Sequence, residues 1–173
     1  MTWRKFACAE PVGRAMLRIG VRPLPPPIPM RSRLYVVAQF ACIAALLLPG
    51  DGWPASALAL PLVAAGAVVG LWALTANRPG NFNIRPDPKD GGRLICVGPY
   101  RHVRHPMYLA VLLFCAGVTV GFADAWRWLA FALLALVLHL KAAFEERALA
   151  ARFPDYAAYA QRTPALIPWL RWP

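Results

Sequence analysis

Four apolar runs dominate this sequence and leave the chain few ways to fold. Their approximate limits are 32–50, 55–76, 107–123 and 126–140, and only short polar or basic segments separate them. The run over 55–76 contains 22 residues without a charge, and as a helix it would extend roughly 33 Å, which is enough to cross a bilayer. Soluble helices need a polar face and these runs have almost none, so a buried soluble four-helix core is the weaker interpretation.

The breaks within and between the runs predict how they are arranged. Pro61 lies inside the second run and predicts a kink rather than an end. The fourth run continues without a helix breaker as far as Pro154, which predicts one long helix, half in lipid and half in water. Because the connections after the first and third runs are very short, we expect an all-α integral membrane protein with four transmembrane helices in two hairpins.

The basic residues predict the orientation of these helices. The formal charge is +11, and 18 of the 19 lysines and arginines fall in 1–33, 77–107 and 141–173. By the positive-inside rule, both termini and the middle loop are therefore cytoplasmic. Arg127 is the exception, and its two tryptophan neighbours predict an interfacial anchor. The charge thus indicates topology and attraction to anionic lipid headgroups rather than nucleic-acid binding.

Residues 1–30 differ from the rest of the chain. They are basic and end in Pro-Leu-Pro-Pro-Pro-Ile-Pro, a composition that predicts an extended, disordered tail. Because no apolar core follows the early charges, a signal peptide is not predicted. The sequence therefore divides into this tail and one membrane domain over 31–173.

The middle loop has the composition of a binding site rather than of a connector. Gly91-Gly92 and Gly98-Pro99 predict turns around a β-like stretch, Leu94–Val97. Two arginines and two histidines then fall within residues 101–105, at the start of the third run. A membrane anchor would need only the arginines, so the histidines and nearby tyrosines predict a shaped polar pocket. A metal site is not predicted, because His102 and His105 have no further histidine or cysteine ligand nearby.

A second polar group follows the fourth run. Lys141 and Glu145 are four residues apart and share one helix face, beside Glu146. A solvent-exposed ion pair would explain these residues without any function. However, the short turn between the third and fourth helices should bring His105, at one hairpin end, close to Glu145 at the other.

Together these motifs resemble the isoprenylcysteine carboxyl methyltransferase family, and the phospholipid methyltransferases are similar in the same places. The resemblance covers about 77–168 and rests on Gly-Pro-Tyr-Arg at 98–101, Arg-His-Pro-Met-Tyr at 104–108, Glu145-Glu146, and a tail with Tyr156, Tyr159 and Pro-Ala-Leu-Ile-Pro. It implies an S-adenosyl-L-methionine site at the cytoplasmic face, formed by the middle loop and the C-terminal helix beside a lipid-accessible tunnel. The implied cofactor contacts are Gly92, Arg93, Leu94, Ile95, Tyr100, His105, Pro106, Met107, Tyr108 and Glu145, and no catalytic residue is assigned.

The resemblance also implies a lipid-like or prenylated methyl acceptor, without an oligomeric state. A basic residue one helical turn before the glutamate, usually arginine, holds the acceptor in the family, and Lys141 occupies that place with a point charge instead of a fork. Carboxyl O-methylation of an isoprenylcysteine-type substrate is the first expectation. The alternatives are a phospholipid amine N-methyltransferase, for which His102 or Glu146 would be the base, a membrane reductase of the steroid-reductase kind, and a non-enzymatic membrane protein.

Overall fold

Five α-helices form the described part of the chain. The computed structural model describes residues 29–50, 56–77 and 94–168. The helices are α1 (Pro29–Leu46), α2 (Ala59–Ala76), α3 (Pro106–Phe122), α4 (Ala125–Arg152) and α5 (Tyr156–Arg162), with a 3-10 turn at Gly98–Arg101 before α3. These ranges contain no β-strand, which confirms the all-α prediction. The predicted β-like stretch Leu94–Val97 is wrong, because it is irregular chain that leads into the 3-10 turn.

Two of the helices, α2 and α4, are long and apolar enough to cross a membrane. The apolar helices Arg33–Leu46 and Pro106–Phe122 are shorter. Many large apolar side chains on α1, α2 and α4 are exposed, among them Leu34, Phe40, Leu60, Val68, Leu71, Leu129 and Leu136. Exposed apolar surface of this extent is typical of a protein that contacts lipid. The predicted tail over 1–30 lies almost entirely outside the described residues.

Helix α4 is a single helix of 28 residues, which confirms the prediction of one long helix that continues past the fourth apolar run. Helix α2 begins at Ala59, so that Pro61 lies in its first turn. Backbone amides in the first turn have no intrahelical partner, so a proline there costs no hydrogen bond. The predicted kink at Pro61 is therefore wrong.

Helices α2 and α3 are antiparallel and pack closely through glycines. A Cβ atom at Gly66 would lie 2.6 Å from the backbone nitrogen of Phe114, and one at Gly117 would lie 2.7 Å from the carbonyl oxygen of Ala59. Small residues that let two backbones approach are typical of helix pairs in membranes. The absence of these two side chains therefore sets the distance between α2 and α3.

Helix α1 packs on α4 rather than on α2. The Tyr35 and Phe144 rings lie 6.1 Å apart, and the most extensive contacts of α1 are with α4. Among the described residues α1 has no comparable contact with α2, so the predicted first hairpin is not a packed helix pair. The second hairpin is confirmed, because α3 and α4 are joined by Ala123 and Asp124, the former in a left-handed conformation.

Arg127 links α4 to the end of α1 at the end of the molecule that contains the α3–α4 turn. It is 1% exposed and donates hydrogen bonds to the carbonyl oxygens of Leu46 and Leu48 and to the carboxylate of Asp124. Its guanidinium carbon lies 4.0 Å from the centre of the Phe122 ring. The last carbonyl groups of an α-helix have no intrahelical donor. The guanidinium of Arg127 provides N–H donors for the carbonyls at the end of α1. The prediction of an interfacial anchor is therefore wrong: Arg127 is a buried structural residue.

Candidate active site

The turn before α3 fixes the start of the site. Gly98 has a φ of 61°, which favours glycine, and a Cβ atom there would lie 3.0 Å from the Cβ of Ala76. The turn thereby packs against the end of α2. The backbone amides of Arg104 and His105 then donate to the carbonyls of Pro164 and Ala165, so the segment after α5 is held beside the segment before α3.

Arg104 and Glu146 form a bidentate ion pair between the segment before α3 and the polar half of α4. The two N–O distances are 2.8 and 2.9 Å. Arg104 also donates to the carbonyls of Ala160 and Thr163, at the end of α5. Burial raises the pKa of Glu146, but hydrogen bonds from His105 and Arg104 outweigh it and hold that pKa at about 2. Glu146 is therefore ionised and fully engaged in the structure of the site.

His105 lies between the two carboxylates. Its Nε2 atom is 3.0 Å from Glu146 Oε1, and its Nδ1 atom is 3.6 Å from Glu145 Oε2. Tyr108 stacks on the His105 ring at 5.2 Å and donates a hydrogen bond of 2.5 Å to Glu145. The expected approach of His105 and Glu145 is confirmed. His105 also occupies the N-cap position of α3, but its side chain makes no capping bond.

Lys141 lies on the side of this cluster that faces α1. It is 2% exposed, and its Nζ atom donates a hydrogen bond of 3.0 Å to Gln39 Oε1. The same atom lies 5.0 Å from the centre of the Tyr108 ring, within the range of a cation–π contact. A solvent-exposed ion pair with Glu145 is therefore the wrong description of Lys141.

A cavity of about 140 Å³ adjoins the ion pair. Its lining residues come from the middle loop, α4 and α5, and they are Asn77, Leu94, Ile95, Tyr100, Arg104, Leu149, Tyr156 and Tyr159. The Tyr159 hydroxyl donates to the carbonyl of Tyr100 at 2.6 Å, and the Tyr156 and Tyr159 rings lie 6.0 Å apart. The buried Tyr156 hydroxyl makes no hydrogen bond among the described residues, and burial raises its pKa. These walls suit a flat group with a polar edge.

The predicted cofactor residues fall into two adjoining groups. Leu94, Ile95 and Tyr100 line the cavity, whereas His105, Tyr108 and Glu145 form the charged cluster. Pro106 and Met107 lie in the first turn of α3, next to that cluster. Gly92 and Arg93 lie outside the described residues. Arg104 belongs to both groups, because it lines the cavity and binds Glu146.

The two proposed bases are poorly suited to accept a proton from an amine. Glu146 has a pKa of about 2, so it is a weak base. His102 is exposed and its ring lies 6.0 Å from that of Trp72, and it does not line the cavity. The structure therefore offers no support for either residue as a base.

Sequence reasoning missed several residues of this site. The sequence alone assigns no role to Asn77, Leu149 or Gln39, and Tyr156 and Tyr159 enter there only as part of the tail that carries the resemblance. Gln39 carried a usable signal, because it is the only amide side chain in α1 and buried polar residues within apolar spans are commonly functional. Asn77 and Leu149 carried no comparable signal.

Comparison with known proteins supports the resemblance. The sequence model of the phospholipid methyltransferase family matches residues 54–155. The chain is 32% identical over 149 residues to probable protein-S-isoprenylcysteine O-methyltransferases of Oryza sativa subsp. indica and japonica, across 80% of this chain and 78% of each relative.

A shorter match links the chain to a bacterial protein. It is 39% identical over 79 residues to the cobalt-zinc-cadmium resistance protein CzcN of Cupriavidus metallidurans, across 44% of this chain and 36% of that protein. No solved structure matches the chain significantly. On the family match and the rice relatives, the chain belongs to the phospholipid methyltransferase family of membrane methyltransferases, together with its isoprenylcysteine methyltransferase relatives.

Proposed function

We propose that this protein is an S-adenosyl-L-methionine-dependent methyltransferase that acts on a lipid-like acceptor. The observation that carries the proposal is that the cluster of His105, Tyr108 and Glu145 adjoins the tyrosine-lined cavity, with Arg104 shared between them. Family membership favours this reading over a membrane reductase of the steroid-reductase kind or a non-enzymatic membrane protein.

The chemistry of the two groups suits S-adenosyl-L-methionine. The tyrosine walls and the buried Tyr156 hydroxyl suit a nucleoside, and aromatic faces and a carboxylate suit a sulfonium cation. The residues that would hold the cofactor are Gly92, Arg93, Leu94, Ile95, Tyr100, His105, Pro106, Met107, Tyr108 and Glu145. When bound, the cofactor supplies a methyl group that is transferred by in-line displacement.

The residues of the chain would chiefly align the reactants and keep water out, because such a displacement depends on orientation. A carboxylate acceptor is already ionised at neutral pH and needs no base. This requirement agrees with a site in which Glu146 has a pKa of about 2. We therefore propose carboxyl O-methylation of an isoprenylcysteine-type acceptor, with the buried ammonium of Lys141 as its binding group. The names of the rice relatives support this choice.

Phospholipid amine N-methylation is the second candidate, and the description of the matching family model favours it. The two reactions leave different products. Mild base hydrolyses a methyl ester to the carboxylate and releases its methyl group as methanol, whereas a methylated amine is stable to the same treatment.

We also propose the arrangement of the protein in the membrane: four spans, with both termini and the site at the cytoplasmic face. The positive charge distribution supports it. So does the up-and-down order of the helices, which brings the end of α2, the start of α3 and the polar half of α4 to one end of the molecule.

Calorimetry of the detergent-purified protein tests the activity. We expect S-adenosylhomocysteine to bind and a reduced nicotinamide dinucleotide not to bind; the reverse result would overturn the proposal. Incubation of membranes with methyl-labelled S-adenosyl-L-methionine then identifies the reaction. Base-labile label in the lipid or protein fraction would support carboxyl methylation, and base-stable label in phospholipid would support the second candidate.

A further inference from the structure

Gln39 is a buried amide in an otherwise apolar stretch of α1. It is 8% exposed, and its neighbours from Leu34 to Leu48 are apolar apart from Tyr35. An amide removed from water is costly unless it is hydrogen-bonded, and the cost increases inside a membrane. Helix–helix packing on this face needs no amide, because Cys42 and Ile43 pack against the apolar core nearby.

The amide orients Lys141 without neutralising it. Its carbonyl oxygen accepts the hydrogen bond from the Lys141 ammonium at 3.0 Å. A lysine side chain has a flexible four-carbon stem, so its ammonium has no fixed position unless a partner holds it. The Glu145 carboxylate already acts electrostatically on Lys141, and a neutral amide, unlike a second carboxylate, adds no further negative charge beside it. Gln39 therefore holds the buried ammonium at a fixed point without adding a charge.

That fixed point adjoins the proposed active site. The Lys141 ammonium lies 5.0 Å from the centre of the Tyr108 ring, and the Tyr108 hydroxyl binds Glu145. Gln39 on α1 is thus connected to Glu145 in the charged cluster through Lys141 and Tyr108. Gln39 itself does not line the tyrosine-walled cavity, so its effect should fall on the acceptor side rather than on the cofactor side.

We propose that Gln39 is a positioning residue that holds the Lys141 ammonium in place to bind an anionic oxygen group of the methyl acceptor. This inference rests on the proposed function, in which Lys141 binds the acceptor. The anionic group is either the carboxylate of a prenyl thioether or the phosphate of a phospholipid, since an ammonium recognises both as a point charge.

Two substitutions at Gln39 distinguish the effect of its hydrogen bond to Lys141 from the effect of the charge beside Lys141. Gln39→Met is nearly isosteric and apolar, so it removes the hydrogen bond but keeps the packing volume. Gln39→Glu keeps an acceptor oxygen near Lys141 but adds a negative charge. Ile43→Ala is the matched control, because it weakens packing on the same face of α1, four residues further on, without a polar contact.

Binding is measured by calorimetry without cofactor, with a farnesyl thioether that ends in a carboxylate, its neutral carboxamide, and lysophosphatidylethanolamine. In the parent protein we expect one of the two probes with an anionic oxygen, the carboxylate or the zwitterionic lysophospholipid, to bind about tenfold more tightly than the carboxamide, as for one charged hydrogen bond. Tighter binding of the carboxylate or of the lysophospholipid identifies the source of the anionic group.

Gln39→Met should lose most of the preference for the anionic probe over the carboxamide, and Gln39→Glu should lose all of it. Ile43→Ala should retain the preference. In turnover assays, Gln39→Met should raise KM for the acceptor about tenfold with little change in kcat. The affinity of Gln39→Met for S-adenosylhomocysteine should stay within about twofold of the parent's, because the substitution removes no contact with the cofactor.

The proposal is overturned if Gln39→Met retains the parent's preference, or if Ile43→Ala loses it to the same degree. If Gln39→Met does not fold, Gln39→Glu decides: a parent-like preference in that variant overturns the proposal. A parent protein that binds S-adenosylhomocysteine but prefers neither anionic probe overturns this inference alone. A parent protein that prefers an anionic probe but does not bind S-adenosylhomocysteine contradicts the proposed function, and the loss of that preference in Gln39→Met would still support the positioning role of Gln39.

Discussion

At the scale of single residues, Arg104 connects the parts of the site. Its guanidinium binds both oxygens of Glu146, donates to two carbonyls at the end of α5 and lines the cavity. Arginine suits this position because its planar fork makes several hydrogen bonds in fixed directions. The same side chain therefore orders α5 and holds Glu146 against His105.

The paired groups His105 and Glu145 provide the most direct test of the site. Replacing either by alanine should weaken S-adenosylhomocysteine binding about 10- to 150-fold, the usual effect of losing a hydrogen bond to a charged group. His102→Ala is the matched control, because His102 is exposed and contacts Trp72 instead. Calorimetry measures all three variants. Parent-like affinity in both His105→Ala and Glu145→Ala would show that the cofactor binds elsewhere.

The low pKa of Glu146 predicts acid sensitivity. This carboxyl titrates at about 2 in the folded protein, against an ordinary value of 4.5. A group whose pKa is lowered by folding stabilises the fold above its unfolded pKa, and this stabilisation disappears as the pH falls toward the folded pKa. The melting temperature in detergent should therefore fall between about pH 5 and pH 2.

Glu146→Gln should have a lower melting temperature at neutral pH and a flatter acid profile, since the titrating group is absent. Parent and variant curves that run parallel from pH 5 downward would contradict the assignment of the acid sensitivity to Glu146.

Part of the site was predictable at this scale. The short α3–α4 turn obliges the start of one helix and the polar half of the other to approach, and this sufficed to pair His105 with Glu145. The partner of Lys141 was not predictable, because Gln39 is 102 residues away and nothing in the local sequence selects one helix of four. Likewise, the place of Tyr156 in the cavity wall was not predictable, because it depends on where α5 packs against the rest of the molecule.

At the scale of the helices, α2 and α3 form the tightest pair. Their contact depends on missing side chains rather than on large ones, as the short distances at Gly66 and Gly117 show. In lipid, burial of apolar side chains does little to select which helices pack together, because the surroundings are equally apolar. Close backbone contact is therefore the property that selects α3 as the partner of α2.

Substitutions at two glycines of α2, one in close contact with α3 and one in ordinary contact, test this explanation. A Cβ atom at Gly66 would lie 2.6 Å from backbone of α3, whereas one at Gly70 would lie 3.5 Å from the Cβ of Ala110, an ordinary contact. Gly66→Ala should therefore separate the helices and lower the melting temperature, and Gly70→Ala should be tolerated. Equal melting temperatures for the two variants in detergent would show that close backbone approach does not stabilise the pair.

Arg127 gives a second prediction about the helices. Arg127→Met leaves the carbonyls of Leu46 and Leu48 and the partly exposed Asp124 carboxylate without their donor, and leaving a buried acceptor unpaired costs about 1–3 kcal/mol. We expect a large fall in the melting temperature and loss of α1 packing. Arg147→Met is the control, because Arg147 is exposed on the same helix. A similar melting temperature for both variants would show that Arg127 does not hold α1.

The sequence predicted the four main helices well and their pairing less well. Apolar length located α1 to α4 within a few residues, because hydropathy is a local property. It did not reveal that α1 packs on α4, since adjacent helices joined by a short connection need not be packed partners. Arg127 was misread for the same reason: two of its acceptors, the carbonyls of Leu46 and Leu48, lie at the end of α1, far away in sequence.

At the scale of the whole molecule, the two ends differ in chemistry. One end contains the cavity, the charged cluster and the Arg104–Glu146 pair, and the other contains the buried Arg127. The described basic residues Arg101, Arg104 and Arg147 lie on the elements at the first end, which supports the proposed cytoplasmic location of the site.

Reporter fusions test this orientation. Fusions at Asp51 and Asp124 should report an extracytoplasmic position, and a fusion at Asp90 should report a cytoplasmic one, because basic loops are retained inside. An extracytoplasmic signal at Asp90 would contradict both the topology and the proposed location of the site.

The attachment of α1 has a consequence for how such proteins diversify. The family match begins at residue 54 and excludes α1, although α1 packs on α4 and supplies Gln39. The close glycine contacts between α2 and α3 do not involve α1. On the proposed function, a chimera that carries the α1 of a relative should therefore keep the α2–α3 pair while its acceptor selectivity changes.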